Sequence, residues 1–207
     1  PLAALEMYQE IMEAEPDNAE TVKEFSKKIG TALKRMEQLI LSMLKITRLD
    51  TGNIIFEKQS CPVKELIKNA ISELGTRAAQ EEKQLIIKGT PNLTIICDMD
   101  WTSEAIGNLV KNALDHTEAG GTIRITWEST PTMLRILVSD NGSGIAPEDI
   151  HHIFKRFYRS KFFLNTPGIG LGLPLAKSII EGQGGVISVQ SVLHEGTTFS
   201  VSFLTKS

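Results

Sequence analysis

From Val22 to Ile46 apolar residues recur at gaps of three and four without a break: Val22, Phe25, Ile29, Ala32, Met36, Leu39, Met43 and Ile46. Such spacing holds one stripe of a helix against a partner, so this segment reads as a long helix packed on other helices. Leu33 and Ile40 widen the stripe beyond a two-helix contact, which suits a four-helix bundle better than a simple zipper. Upstream, Leu2, Leu5, Tyr8 and Met12 are helically spaced, and the turn EPDN follows, with Asp17 and Glu20 placed as a capping box for the second helix. Residues 1–49 are therefore expected to form an antiparallel helical hairpin with arms of about 15 and about 30 residues, judged by the apolar periodicity. So unequal a hairpin has too little core to stand alone, and dimerisation is expected.

After Asp50, Thr51 and Gly52 the texture changes, which places a boundary between a hairpin at 1–52 and a second domain at 53–207. A strand is expected near Ile54 to Phe56. A helix should run from Pro62 to about Glu82 with Val63, Leu66, Ile67, Ala70, Ile71 and Leu74 inward. The runs LIIK, LTIIC, TIRITW, MLRILVSD, VISVQS and TTFSVSFL read as strands between turns. Helices carrying residues 108–117 and about 170–181 lie between them. The class is α+β, one sheet covered by helices on one face.

With 41% apolar and 23% charged residues the chain has an ordinary globular composition, and its net charge of -3 gives no electrostatic reason to expect nucleic acid. No run of about 18 apolar residues is present to span a membrane. The start, PLAALEMYQE, lacks an initiator Met and the layout of a signal peptide, so a fragment is expected and targeting is not legible. Cys61 and Cys97 have no metal-ligand spacing, and free thiols in a reducing compartment are the expected state.

Four stretches carry chemistry. In NLVKNALDHT, residues 108–117, Asn108 and Asn112 are four apart with Glu104 a turn earlier, a polar line opposite Leu109, Val110, Ala113 and Leu114. Two asparagines in register mean a solvated face or a ligand face, and the line alone favours the former. SDNGSGI, residues 139–145, ends an apolar strand in a D-x-G-x-G turn, where glycine admits backbone approaches that a side chain would block. GIGLGL, residues 168–173, sets alternating glycines at the mouth of a helix, leaving amides free to face an anion. HEGTTF, residues 194–199, turns into the last strand. Each is weak alone; their order, with the aromatic cluster IFKRFY between the second and third, is not.

In that order they resemble the catalytic core of sensor histidine kinases, of the wider gyrase-like ATP-binding superfamily, over nearly the whole chain. The resemblance makes NLVKNALDHT the Asn box, DNGSGI the first Gly box, IFKRFYR the Phe box, GIGLGL the second Gly box and GTTF the last. The heptad hairpin becomes part of a dimeric four-helix bundle for dimerisation and histidine phosphotransfer, and the remainder a two-layer α/β sandwich of the histidine kinase ATPase type. It implies Mg²⁺ and ATP as cofactors, with Asn112 ligating the metal through its amide oxygen and Asn108 near the phosphates. Asp140 would accept the adenine exocyclic amine. Gly142 and Gly144 would let the base lie against backbone beside Ile145. Gly168, Gly170 and Gly172, with Leu171 and Leu173, would bring amides to the phosphates, and Thr198 would stand at the nucleotide. Arg159 would pair with the γ-phosphate during transfer, its alternative being a solvated loop arginine. Residues 160–167 resemble a nucleotide lid. The implied partners are a second copy through the hairpin and a response regulator receiver domain, with no nucleic acid. A cytoplasmic place is implied, in a bacterial sensor anchored in the inner membrane by segments absent from this chain.

One position departs from the family pattern. Three residues past Asn112 the family often carries a basic residue, and here stands Asp115, which would repel triphosphate unless it points away. The cationic role would then fall to Lys111, His116 or Lys161. His151, His152 and His194 are expected at the surface. A phosphoacceptor histidine belongs on the first hairpin helix, yet residues 1–49 contain none. In the family pattern H-[ED]-x-x-[TN]-P, Pro1 would be the final proline, so the acceptor is expected upstream of this chain. Two other readings stay open: a gyrase-like ATPase or serine switch-protein kinase, and a dimeric nucleotide-binding scaffold without kinase activity.

Overall fold

The structure, a computed structural model, describes residues 2–160 and 169–205. The chain divides into two compact units, Pro1–Lys45 and Ile46–Ser207.

The first unit is helical. α1 spans Leu2–Ala14, and α2, spanning Ala19–Asp50, continues past the division between the units. Tyr8 and Phe25 bring their rings within 5.5 Å, and Lys28 Nζ lies 4.4 Å from the Phe25 ring centroid, so the two helices meet through an aromatic pair capped by a cation. The expected capping box is displaced by one residue: Asn18, not Asp17, accepts the Thr21 amide at 3.2 Å. Asparagine is as good a cap as aspartate, and its amide also donates to Glu15. Val22, Phe25, Ile29, Ala32, Met36 and Leu39 are only half-buried, and Leu33 and Ile40 are more than half exposed.

The second unit is built on a five-stranded sheet ordered β2-β4-β5-β7-β6, with β2 at Gln84–Gly89, β4 at Thr122–Ser129, β5 at Met133–Asp140, β6 at Val186–Val192 and β7 at Gly196–Leu204. β2 and β4 run parallel; every other neighbouring pair is antiparallel. One face is apolar by strict alternation: Ile123, Ile125 and Trp127, then Leu134, Ile136 and Val138, then Phe199, Val201 and Phe203. Four helices flank that core: α3 (Val63–Ala70), α4 (Leu74–Gln80), α5 (Met99–His116) and α7 (Gly172–Gly182). α5 is central, packing on α3, α7 and the sheet. α6 is a single turn at Pro147–Ile150.

Three expectations change. Residues 53–58 form no strand; the Glu57 amide is taken by Asp98 Oδ2 at 3.0 Å and Phe56 packs edge-on against Trp101, so this backbone has no ladder to join. The strand begins at Gln59, and β1 (Gln59–Pro62) pairs with β3 (Thr94–Cys97) in a separate two-stranded sheet. The long helix expected from Pro62 is broken at residues 71–73, where Ile71 leaves helical geometry with ψ 5°; Ser72 and Gly75 are weak helix formers at the break. Both cysteines are free and buried, with the Cys61 thiol donating to the Cys97 carbonyl at 3.4 Å. Among the described residues, no helix is long and apolar enough to cross a membrane.

Candidate functional site

α5 is anchored at its start by Asp98, whose Oδ1 accepts the Trp101 amide at 3.2 Å. Ala105, Ile106, Leu109, Val110, Ala113 and Leu114 fill the core from one side of the helix. Glu104, Asn108, Asn112 and His116, one turn apart on another side, are half-buried. Asn108 Nδ2 donates to the Glu104 carbonyl at 3.0 Å, which fixes its amide and leaves Oδ1 facing Gly172; a Cβ on Gly172 would lie 3.2 Å from that oxygen. The first turn of α7, where an α-helix gives its leading amides no intrahelical acceptor, therefore abuts the asparagine line. Leu171 is buried, Leu173 half-buried, and Pro174 sits inside that first turn where its missing N–H costs little. Gly170 (φ +73°) accepts the Phe157 amide at 2.9 Å, tying this loop to the aromatic cluster.

The other end of the line meets the D-x-G-x-G turn. A Cβ on Gly142 would lie 2.1 Å from the His116 carbonyl, which accepts the Ser143 amide at 3.0 Å. A Cβ on Gly144 (φ +67°) would lie equally close to the Val192 carbonyl, and the Ser143 carbonyl accepts the His194 amide at 2.7 Å. Asp140 ends β5 on the helix-facing side and its Oδ1 accepts the Gly142 amide at 2.9 Å. Burial pushes its carboxyl above the usual range, against the opposing pull of the Gly142 and Thr197 backbone hydrogen bonds. Ile145 is half-buried and its amide donates to Ser191 Oγ at 2.8 Å.

The last Gly-Thr motif is placed differently from its expected role. Thr198 pairs with Ser139 in the β5–β7 register and donates to Ser139 Oγ at 2.9 Å, on the sheet face away from Asp140. Thr197, its neighbour, stands opposite Asp140 on the helix side, buried, with its hydroxyl 2.9 Å from Ser191 Oγ. Strand periodicity of two separates adjacent threonines onto opposite faces, and only the register decides which one turns inward.

Asp115 does not stand free. Its carboxylate meets Arg77 Nη2 of α4 at 2.6 Å, and its side chain is 14% exposed. Lys111 is exposed and Arg159 half-buried. Burial lowers the His116 pKa, the Arg159 charge lowers it further and Asp115 opposes both, which puts His116 within electrostatic reach of both residues. His151 and His194 are exposed as expected; His152 is half-buried and packs on the Tyr158 ring at 5.4 Å. Lys161 and Gly168, with the lid residues between them, lie outside the described residues.

Residues 97–207 match the family described as histidine kinase-, DNA gyrase B-, and HSP90-like ATPases. The chain is 28% identical over 204 residues to the sensor-like histidine kinase SenX3 of Mycobacterium tuberculosis, covering 98% of this chain and 50% of that protein. It is 29% identical over 204 residues to the sensor protein SrrB of Staphylococcus aureus, covering 97% of this chain and 35% of that one. The chain thus spans half or less of the curated relatives it matches. The nucleotide-free catalytic domain of histidine kinase ThkA is 27% identical with a TM-score of 0.63, over 72% of this chain and 97% of that one. In its complex with the response regulator TrrA, ThkA shares the fold with a TM-score of 0.81 at 23% identity, over 100% of this chain and 58% of that one.

Proposed function

The chain belongs to the histidine kinase-, DNA gyrase B-, and HSP90-like ATPase family, and on that premise we propose that residues 53–207 bind Mg-ATP as the catalytic domain of a sensor histidine kinase whose dimerisation and phosphotransfer hairpin includes residues 1–52. The observation that carries this reading is the convergence of three elements: the asparagine line of α5, the first turn of α7 against Asn108, and Asp140 at the end of β5. Glycines stand wherever a Cβ would collide with the walls of that space.

The donor set suits a hard cation and a polyanion. The Asn112 amide oxygen would hold Mg²⁺, which supplies charge neutralisation to the phosphate oxygens. Asn108 and the amides of Gly170, Leu171, Gly172 and Leu173 bind the phosphates from the α7 side, where the helix dipole favours negative charge. Asp140 accepts the adenine amine, Gly142 and Gly144 admit the base against backbone, and Ile145 walls it. Thr197, rather than Thr198, faces that pocket. Arg159 offsets charge on the γ-phosphate as it leaves, as a guanidinium is suited to do.

His116, His151, His152 and His194 all lie outside α1 and α2, so none is the proposed phosphoacceptor. The names of SenX3 and SrrB support a sensor kinase as the whole protein, and the ThkA–TrrA complex supports a response regulator as its partner. A second copy through the hairpin and attachment to a membrane sensor belong to the same proposal.

Calorimetric titration with ATP tests it. Binding should require Mg²⁺, and Asn112→Ala should abolish the metal-dependent part while leaving the thermal transition in place, because Asn112 is not a core residue. Metal-independent ATP binding of equal strength in both proteins would overturn the assignment. With labelled ATP this chain should carry no acid-labile phosphate, since neither α1 nor α2 holds a histidine. Acid-stable label on serine would point to a serine kinase instead.

A further inference from the structure

On a helical wheel Asp115 falls between Lys111 and Asn108, on the polar side of α5 and one turn beyond Asn112. An unpaired carboxylate there would face the same space as the metal amide and would repel a triphosphate in half-buried surroundings, where charge is poorly screened. The structure deflects it instead. Arg77 Nη2 holds Asp115 Oδ1 at 2.6 Å, while Arg77 Nε holds Glu81 Oε1 at 2.6 Å. Glu81 is also paired with Lys83, whose Nζ is bonded to the Leu114 carbonyl at 2.8 Å, next to Asp115 itself. Two cations and two anions are thus laced from α4 across to the last turn of α5, and the Arg77 fork is fixed at both prongs.

We infer that Arg77 is a positioning residue for nucleotide binding: it draws Asp115 toward α4 and cancels its charge, so that the asparagine line faces the triphosphate without a competing carboxylate. The inference rests on the proposed Mg-ATP site and adds to it the device that makes an acid tolerable there. In this role Arg77 itself touches neither nucleotide nor metal.

The test is a mutant cycle on the whole chain, with Mg-ATP, Mg-ADP and adenosine as ligands. Arg77→Ala should weaken Mg-ATP about tenfold, the scale of exposing one uncompensated charge beside a polyanion, Mg-ADP less, and adenosine not measurably. Asp115→Asn should bind Mg-ATP at least as well as the native chain. The double variant Arg77→Ala/Asp115→Asn should recover affinity to within about threefold of Asp115→Asn alone, since nothing remains to be held away. A double variant no better than Arg77→Ala, or a loss for adenosine equal to that for Mg-ATP, would show a purely structural role and overturn the inference. Should Arg77→Ala fail to fold, Arg77→Gln with and without Asp115→Asn runs the same comparison. Failure of the native chain to bind Mg-ATP at all would strike the proposed site; a native chain that binds, with no coupling between 77 and 115, would strike this inference alone.

Discussion

Asp140 is a carboxylate kept in a place that disfavours its charge, and two measurable effects follow. Its folded pKa is raised above the unfolded value, so between those values the folded chain holds more protons than the unfolded one, and its contribution to stability falls as pH rises through that window. Asp140→Asn should flatten that segment of a urea-melt series against pH. Adenine affinity should move the other way, falling as pH is lowered through the same window, because protonation removes the charged acceptor. At neutral pH Asp140→Asn should cost ATP about tenfold or more by setting a donor against a donor, with inorganic triphosphate binding unchanged. The shared helix face of Asn108 and Asn112 and the strand-ending place of Asp140 were legible in the sequence because helical register and a glycine turn after a strand are local signals. Thr197 was not, since two adjacent threonines look alike until the β5–β7 register turns one inward. Nor was the fate of Asp115, whose partner lies 38 residues away.

Among the elements, the hairpin joining β6 and β7 and the turn after β5 are stacked so closely that glycine is required at their contact. Gly144 combines a left-handed φ of +67° with a Cβ position 2.1 Å from the Val192 carbonyl, a rigid backbone atom that has no easy way to yield. Gly144→Ala should therefore destabilise the fold by about 2–3 kcal/mol through strain and overpacking, read as a lower urea midpoint with an unchanged slope. Gly184→Ala is the control: φ is also positive at +85°, but nothing lies within 4 Å of its Cβ, so its loss should be smaller. The main strands were legible because apolar residues alternate or cluster between turns. β1 was not: QSCP is short and mostly polar, and it exists because Thr94–Cys97 offers it a ladder, a pairing that local sequence does not encode. The break at residues 71–73 was hidden because the apolar positions keep helical spacing across it.

For the molecule as a whole, the order of the two units was legible from the change of apolar period, whereas the strand order β2-β4-β5-β7-β6 was not. The parallel β2–β4 pair is joined through β3 and α5, a crossover that hydrophobic patterning cannot distinguish from a hairpin. Dimerisation is testable at the same scale: Leu33 and Ile40, 52% and 54% exposed, are large apolar residues on a helix with few buried positions. Leu33→Glu with Ile40→Glu should convert the proposed dimer to a monomer in sedimentation equilibrium without changing ATP affinity. The two cysteines, finally, give this chain a clock. Cys61 and Cys97 are 1% and 0% exposed, so the closed molecule denies an alkylating reagent access to either, and burial pushes the Cys97 thiol up to about 12, away from the reactive thiolate. Each iodoacetamide adduct must then record an excursion in which the small sheet has come apart. Because β3 runs directly through Asp98 into the asparagine helix, adduct formation followed by mass spectrometry should slow when Mg-ATP is added, as the ligand drains the open population. An unchanged rate would mean that the small sheet opens without disturbing the nucleotide site.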